Sequence, residues 1–277
     1  MPGAVAAYDE ALLTAKGLSM SLHHAADGYN TAATADTYAR GRPDYPPVLD
    51  AWLRDTLGLD VGRYVLDLGA GTGKFTPRLL ATGARVIAVE PVAAMRAKLH
   101  ASLPHVQALD GRADALPLPD ASLDAVVCAQ SFHWFATPQA LAEIRRVLKP
   151  GGRLGLVWNL RDASVPWVAR LDALVNRYEG DTPRYYSGAW RAVFPHPGFG
   201  PLQGREFSNG HTGDAQTVIV DRVRSTSFIA ALPATERERV DAQVSELIAG
   251  EPLLAGKAQV TVPYLTAAFC AVKTETP

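Results

Sequence analysis

The sequence predicts an α/β fold, a doubly wound parallel sheet with helices on both faces, and three observations carry that prediction. Between Tyr64 and Leu160, short apolar runs of the fully buried strand kind alternate with helical stretches. The first run, Val65-Leu66-Asp67-Leu68, ends in three glycines at alternate positions, Gly69, Gly71 and Gly73, before Lys74 to Leu80 reads as the start of a helix. The chain has 277 residues and is 48% hydrophobic, enough for one sizeable core with a cap added to it.

Taken in order, residues 1–37 are alanine-rich and break near Gly17 and Gly28, which predicts an N-terminal lid or extension over 1–45. Pro46-Pro47 opens a helix to about Leu57, since proline suits the first helical turn. Residues 46–160 form the core. Arg85 to Val89 is a strand that ends at Glu90. Residues 161–200 carry seven aromatics, from Trp167 to Phe199, broken by prolines and glycines, and predict a cap insertion folded over the mouth of the site. Residues 201–277 complete the core. Arg205 to Ser208 is a strand candidate, Asp214 to Ser227 and Thr235 to Ala249 read as helices, and Val262 to Val272 as a last strand.

Net charge is -1 with no long run of like charge, so no basic face advertises nucleic-acid binding. No apolar stretch is long enough to span a bilayer, and the first twenty residues lack a signal-peptide pattern, which predicts a cytoplasmic protein. Cys128 and Cys270 sit in apolar runs and read as buried free thiols, and the histidines show no metal spacing.

A buried strand that turns through glycines into a helix brings backbone N–H groups close to a ligand with no side chains in the way. The turn is thus a nucleotide or nucleoside cradle. A dinucleotide fold wants its third glycine at the place of Lys74, one position later than Gly73. Glu90, at the end of the next strand, is placed to accept hydrogen bonds from ribose hydroxyls, a feature shared with NAD enzymes.

The glycine spacing, with Asp67 two residues before Gly69, resembles the S-adenosylmethionine (SAM) site of class I methyltransferases. The resemblance continues through Gly111 to Pro119, similar to the loop that frames the adenine, and through Leu123 to Gln130, similar to the fourth strand, followed by Ser131 to Phe135. Glu143 to Gly152 and the fifth strand, Arg153 to Leu160, complete a match that spans roughly Tyr38 to Leu160. Tyr38 to Pro46 resembles the opening segment of the small-molecule branch that includes trans-aconitate-type methyltransferases.

That resemblance implies a Rossmann-like, mostly parallel sheet whose last strand lies antiparallel at the edge, with SAM as cofactor and a small molecule as partner. It implies cofactor contacts from Asp67, Gly69, Ala70, Gly71, Thr72, Gly73, Glu90, Pro91, Arg112, Ala113, Asp114 and Gln130. Many relatives carry an acid where Arg112 stands, so Asp114 or the backbone is left to meet the adenine amino group. Asp67 either meets the methionine amino group or holds the glycine turn.

His133, Trp134 and Asn159 follow the fourth and fifth strands, whose carboxyl ends face the site in such folds, and are the candidate catalytic residues. His133 is either a proton acceptor or a residue that shapes the pocket. Tyr29, Tyr38, Arg42, Tyr185 and Tyr186 are candidates for the substrate pocket, where aromatic faces would suit a cationic sulfonium. Three functions stay open: methyl transfer to a small acceptor, ring closure within SAM of the azetidine-2-carboxylate synthase type, and non-catalytic SAM binding.

Overall fold

A computed structural model describes residue 37 and residues 40–275. Most of the expected lid, with Tyr29 and Tyr38, lies outside the described residues. Helix α1 (Leu49–Asp55) begins where Leu49 and Asp50 donate backbone N–H groups to the carbonyls of Pro46 and Pro47. Then follow β1 (Tyr64–Leu68), α2 (Thr76–Leu80), β2 (Arg85–Val89), α3 (Ala93–Ser102), β3 (Gln107–Leu109), β4 (Leu123–Ala129), α4 (Pro138–Val147) and β5 (Leu148–Arg161). Beyond them lie α5 (Pro166–Asn176), β6 (Gln203–Gly213), α6 (Arg222–Arg224), α7 (Ser227–Ala230), α8 (Ala234–Gly250) and β7 (Val260–Val272).

Among the described residues the strands form one seven-stranded sheet in the order β3-β2-β1-β4-β5-β7-β6. β1 pairs in parallel with β2 on one side and β4 on the other, so strand order reverses between β1 and β4. Ligands of open α/β sheets bind outside the carboxyl ends at such a switch point. Side chains alternate across the sheet as strand geometry requires. Leu66, Leu68, Val126, Cys128, Leu156 and Trp158 join a core with Leu141, Ile144 and Val147 of α4. Val65, Ala125, Val127 and Val157 point the other way, onto Leu49, Trp52 and Leu53 of α1 and Leu79 of α2.

The carboxyl-terminal part departs from expectation in three ways. β7 is antiparallel to β5, as expected, but it is an inner strand, and β6 forms the edge by pairing with β7 from Gln203↔Cys270 to Gly213↔Val260. β6 runs well past the four residues expected of it. Gly204, Asn209, Gly210 and Gly213 are poor strand formers, and pairing with β7 overrides them. The helix expected over Asp214 to Ser227 is a π-turn at Gln216–Asp221, then α6, then a break at Thr226, whose backbone is extended. Trp167, Val168 and Leu171 of α5 share a third core with Val218 and Ile219 of the π-turn, Val240 and Val244 of α8, and Tyr264 of β7. The first helix of the expected cap is thus bonded by packing to the residues that complete the sheet.

Candidate cofactor and acceptor site

The carboxyl ends of β1, β2, β4 and β5 open into one cavity of about 720 Å³, within the range of pockets that enclose small ligands. Gly69, Ala70, Gly71, Glu90, Pro91, Arg112, Ala113, Asp114 and Gln130 of the predicted cofactor set line it. So do Arg42, His133, Trp134, Asn159, Tyr185 and Tyr186. Asp67, Thr72 and Gly73 do not reach it.

The glycines serve differently from expectation. Gly69 and Ala70 donate their N–H groups to the Val89 carbonyl at 2.8 and 3.2 Å, Gly73 donates to Ala70 at 3.0 Å, and Gly71 donates to Glu90 Oε2 at 2.8 Å. These donors are already partnered within the protein, so the turn is shaped for a ligand by missing side chains. Gly71 has a φ of +58°, and a Cβ there would meet none of the described residues within 4 Å. Gly73, at φ +81°, leaves room instead for Leu99 of α3, whose Cγ would lie 2.9 Å from an added Cβ.

Glu90 is buried and accepts a second backbone N–H, from Val92 to Oε1 at 2.8 Å. Burial pushes its pKa up, and the two N–H groups and Arg96 hold it down. Two bonds leave about half of a carboxylate's acceptor sites for ligand hydroxyls. Arg112 Nε bonds Asp114 Oδ1 at 3.2 Å, so the basic residue at the expected acidic position is neutralised by its neighbour.

Asp67 is wholly buried behind the turn, where Oδ2 accepts from the Thr76 hydroxyl at 2.7 Å. Burial raises its pKa to about 7. This geometry favours the turn-holding alternative for Asp67 over direct ligand contact.

Gln130 adopts a left-handed φ of +61° at the end of β4, a conformation disfavoured for non-glycine residues. Its Nε2 donates to the Asn159 carbonyl at 3.0 Å. Asn159 Oδ1 accepts from Thr266 Oγ1 and from Asn209 Nδ2, the latter at 3.1 Å, and its Nδ2 donates to the Asp44 carbonyl at 3.3 Å. Its amide is engaged in tying β5, β6 and β7 to the segment before α1, which opposes a direct catalytic role for Asn159.

His133 Nδ1 accepts the indole N–H of Trp158 at 3.0 Å. The remaining ring proton of the neutral imidazole therefore sits on Nε2. Burial, and then the charges of Arg184 and Arg42, push the pKa down to about 3. A ring so held is a hydrogen-bond donor at neutral pH, which opposes the proton-acceptor reading.

Arg161, Arg184 and Arg222 also line the cavity and were not anticipated. Arg161 closes β5 and could have been found by the rule that carboxyl ends face the site. Arg184 and Arg222 come from later segments that no local pattern marks. Among the described residues no cluster of His, Cys, Asp or Glu is arranged to hold a metal, and no helix is long and apolar enough to cross a membrane.

A family model for a methyltransferase domain matches residues 66–156. The chain is 41% identical over 239 residues to the uncharacterized methyltransferase-like protein C25B8.10 of Schizosaccharomyces pombe, covering 85% of this chain and 92% of that one. It is 42% identical to the uncharacterized methyltransferase Rv3342 of Mycobacterium tuberculosis, covering 83% and 89% respectively. Its fold is similar to that of phosphoethanolamine N-methyltransferase 2 of Haemonchus contortus solved with S-adenosyl-L-methionine, with a TM-score of 0.53, 14% identity and coverage of 93% of this chain and 61% of that one.

Proposed function

The chain belongs to the class I SAM-dependent methyltransferases, with SAM as its cofactor, and on that premise we propose that it methylates a small molecule enclosed in the cavity. The single observation that carries this reading is the cavity itself, which runs from the glycine turn to a chamber beyond β5, walled by Pro183 to Tyr186 and by Thr226-Ser227. A cavity of about 720 Å³ that has to hold cofactor and acceptor together suits a small acceptor better than a macromolecular one.

The residues fit the cofactor. The space beside Gly71 accepts a ligand that a side chain would exclude, Glu90 keeps acceptor sites for ribose hydroxyls, and Pro91, Arg112, Ala113 and Asp114 wall the adenine side. When bound, SAM supplies a methyl group already activated by its sulfonium. The chain's own task is then to align the acceptor and exclude water. Trp134, Tyr185 and Tyr186 line the acceptor end, and His133 offers a donor at Nε2 that orients an acceptor oxygen. No group here needs to remove a proton, so an acceptor that arrives ionised suits the site.

Purified protein incubated with SAM and pools of small acceptors tests the reading. S-adenosylhomocysteine as the nucleoside product, with a methylated acceptor, is the expected result. Methylthioadenosine formed from SAM alone would replace methyl transfer by ring closure, and turnover of neither kind would leave a binding module.

A further inference from the structure

The acceptor side of the cavity is unusually basic for a chain whose net charge is -1. Arg42, Arg161, Arg184 and Arg222 all line it. Among the described residues, Asp172 bonds Arg161 through Nε, at 2.6 Å, and through Nη2, and Glu179 meets Arg184 Nη1 at 3.1 Å. Asp181 also lines the cavity, from an exposed position. Asp221 faces away, toward Arg40 and Arg224.

The arginines are close enough to oppose one another's charge. Burial and then Arg42, Arg161 and Arg184 bring Arg222 down to about 10, and Arg184 is lowered by burial and by Arg161 and Arg42. Arg161 Nη1 and Arg222 Nε are buried and have no hydrogen-bond partner among the described residues. Converging cations with unmet donors are costly unless an anion joins them. The guanidinium fork matches carboxylate and phosphate oxygens.

We propose that Arg161, Arg184 and Arg222, with Arg42, form an anion clamp that selects acceptors bearing a carboxylate or phosphate group. The inference rests on the methyl-transfer reading and adds the acceptor's chemical class. The anion belongs to the acceptor and not to the cofactor's own carboxylate, because of where the clamp sits. Glu90 ends β2 on one side of the glycine turn, whereas Arg161 ends β5, two strands from β1 on the other side. At roughly 4.8 Å per strand that is about 10 Å from β1. A clamp on a non-reacting anionic group would fix which atom of the acceptor faces the methyl group.

Calorimetry on protein saturated with S-adenosylhomocysteine tests this, using matched pairs: succinate and succinamide, glutarate and glutaramide, phenylacetate and phenylacetamide, glycerol 3-phosphate and glycerol. Acids should bind where their neutral partners do not, and rising sodium chloride should weaken them. Arg184→Gln and Arg222→Gln should each weaken acid binding by about tenfold or more, with S-adenosylhomocysteine affinity retained. Arg184→Gln keeps the test open if Arg222→Gln does not fold. Loss of S-adenosylhomocysteine affinity in these variants would assign the clamp to the cofactor carboxylate and overturn the proposal, as would a panel in which no acid outbinds its partner. Failure of the wild type to bind S-adenosylhomocysteine at all would instead strike the methyl-transfer reading.

Discussion

Trp158 donates its indole N–H to His133 Nδ1 at 3.0 Å, and that bond fixes which tautomer the imidazole presents to the cavity. Trp158 is itself fully buried against Trp190, with ring centroids 4.6 Å apart, so the donor cannot turn away without opening the core.

A pH profile follows from the His133 pair. The folded pKa is depressed to about 3, so the ring is neutral at pH 7 and takes up a proton near the ordinary histidine value only in the unfolded chain. Stability from this group is present above about pH 6.5 and is lost as pH falls toward 3. For an ionised acceptor, kcat/KM between about pH 6 and 8 should show no histidine limb. A limb near 6.5 that His133→Gln removes would restore the base role.

Glu90→Gln should weaken SAM binding by about tenfold or more, because bonds to a charged partner contribute about 1.5–3 kcal/mol each. The amide also turns a donor toward the Gly71 or Val92 N–H. Calorimetry with S-adenosylhomocysteine measures the loss, and unchanged affinity would remove Glu90 from the ribose.

Two glycine substitutions should separate binding from folding. Gly71→Ala meets none of the described residues, so it should cost only the left-handed backbone penalty of about 1–2 kcal/mol, yet obstruct the cofactor. Gly73→Ala pays that penalty and also strikes Leu99, so its Tm should fall further. Thermal melts with and without S-adenosylhomocysteine check the contrast; equal Tm losses would refute it.

Asp67→Asn should change the pH dependence of stability. Burial raises the folded pKa to about 7, above the ordinary value of about 3.8, so the stability Asp67 allows is complete at low pH and is lost as pH rises through 7. Asn keeps an acceptor for Thr76 and cannot ionise. Relative to the variant, the wild type should therefore lose stability between about pH 4 and 7. Parallel urea curves for the two proteins across that range would contradict it.

The sheet was legible because β1, β2, β4 and β5 are apolar runs bounded by glycines and acids, and the cavity's cofactor wall was legible because Gly69, Gly71 and Glu90 stand at the ends of those runs. β6 was largely hidden, since its glycines and Asn209 read as loop until β7 pairs with them. The engaged state of Asn159 was also hidden, because its partners Asp44, Asn209 and Thr266 are remote in sequence. Arg184 and Arg222 illustrate the same limit: convergence on a cavity is a tertiary fact that no local period records.

Three of the cavity's arginines come from a later stretch of chain than its cofactor wall. The glycine turn and Glu90 fall inside residues 66–156, whereas Arg161, Arg184 and Arg222 follow them. Because α5 shares one core with α8 and β7, residues 161–272 would have to be exchanged between homologues as one block. β5 and β7 are the seam along which such a graft must register, from Arg153↔Val272 to Arg161↔Tyr264. The fold is thereby divided into a part that can remain constant and a part free to diversify, with the reacting centre at their border.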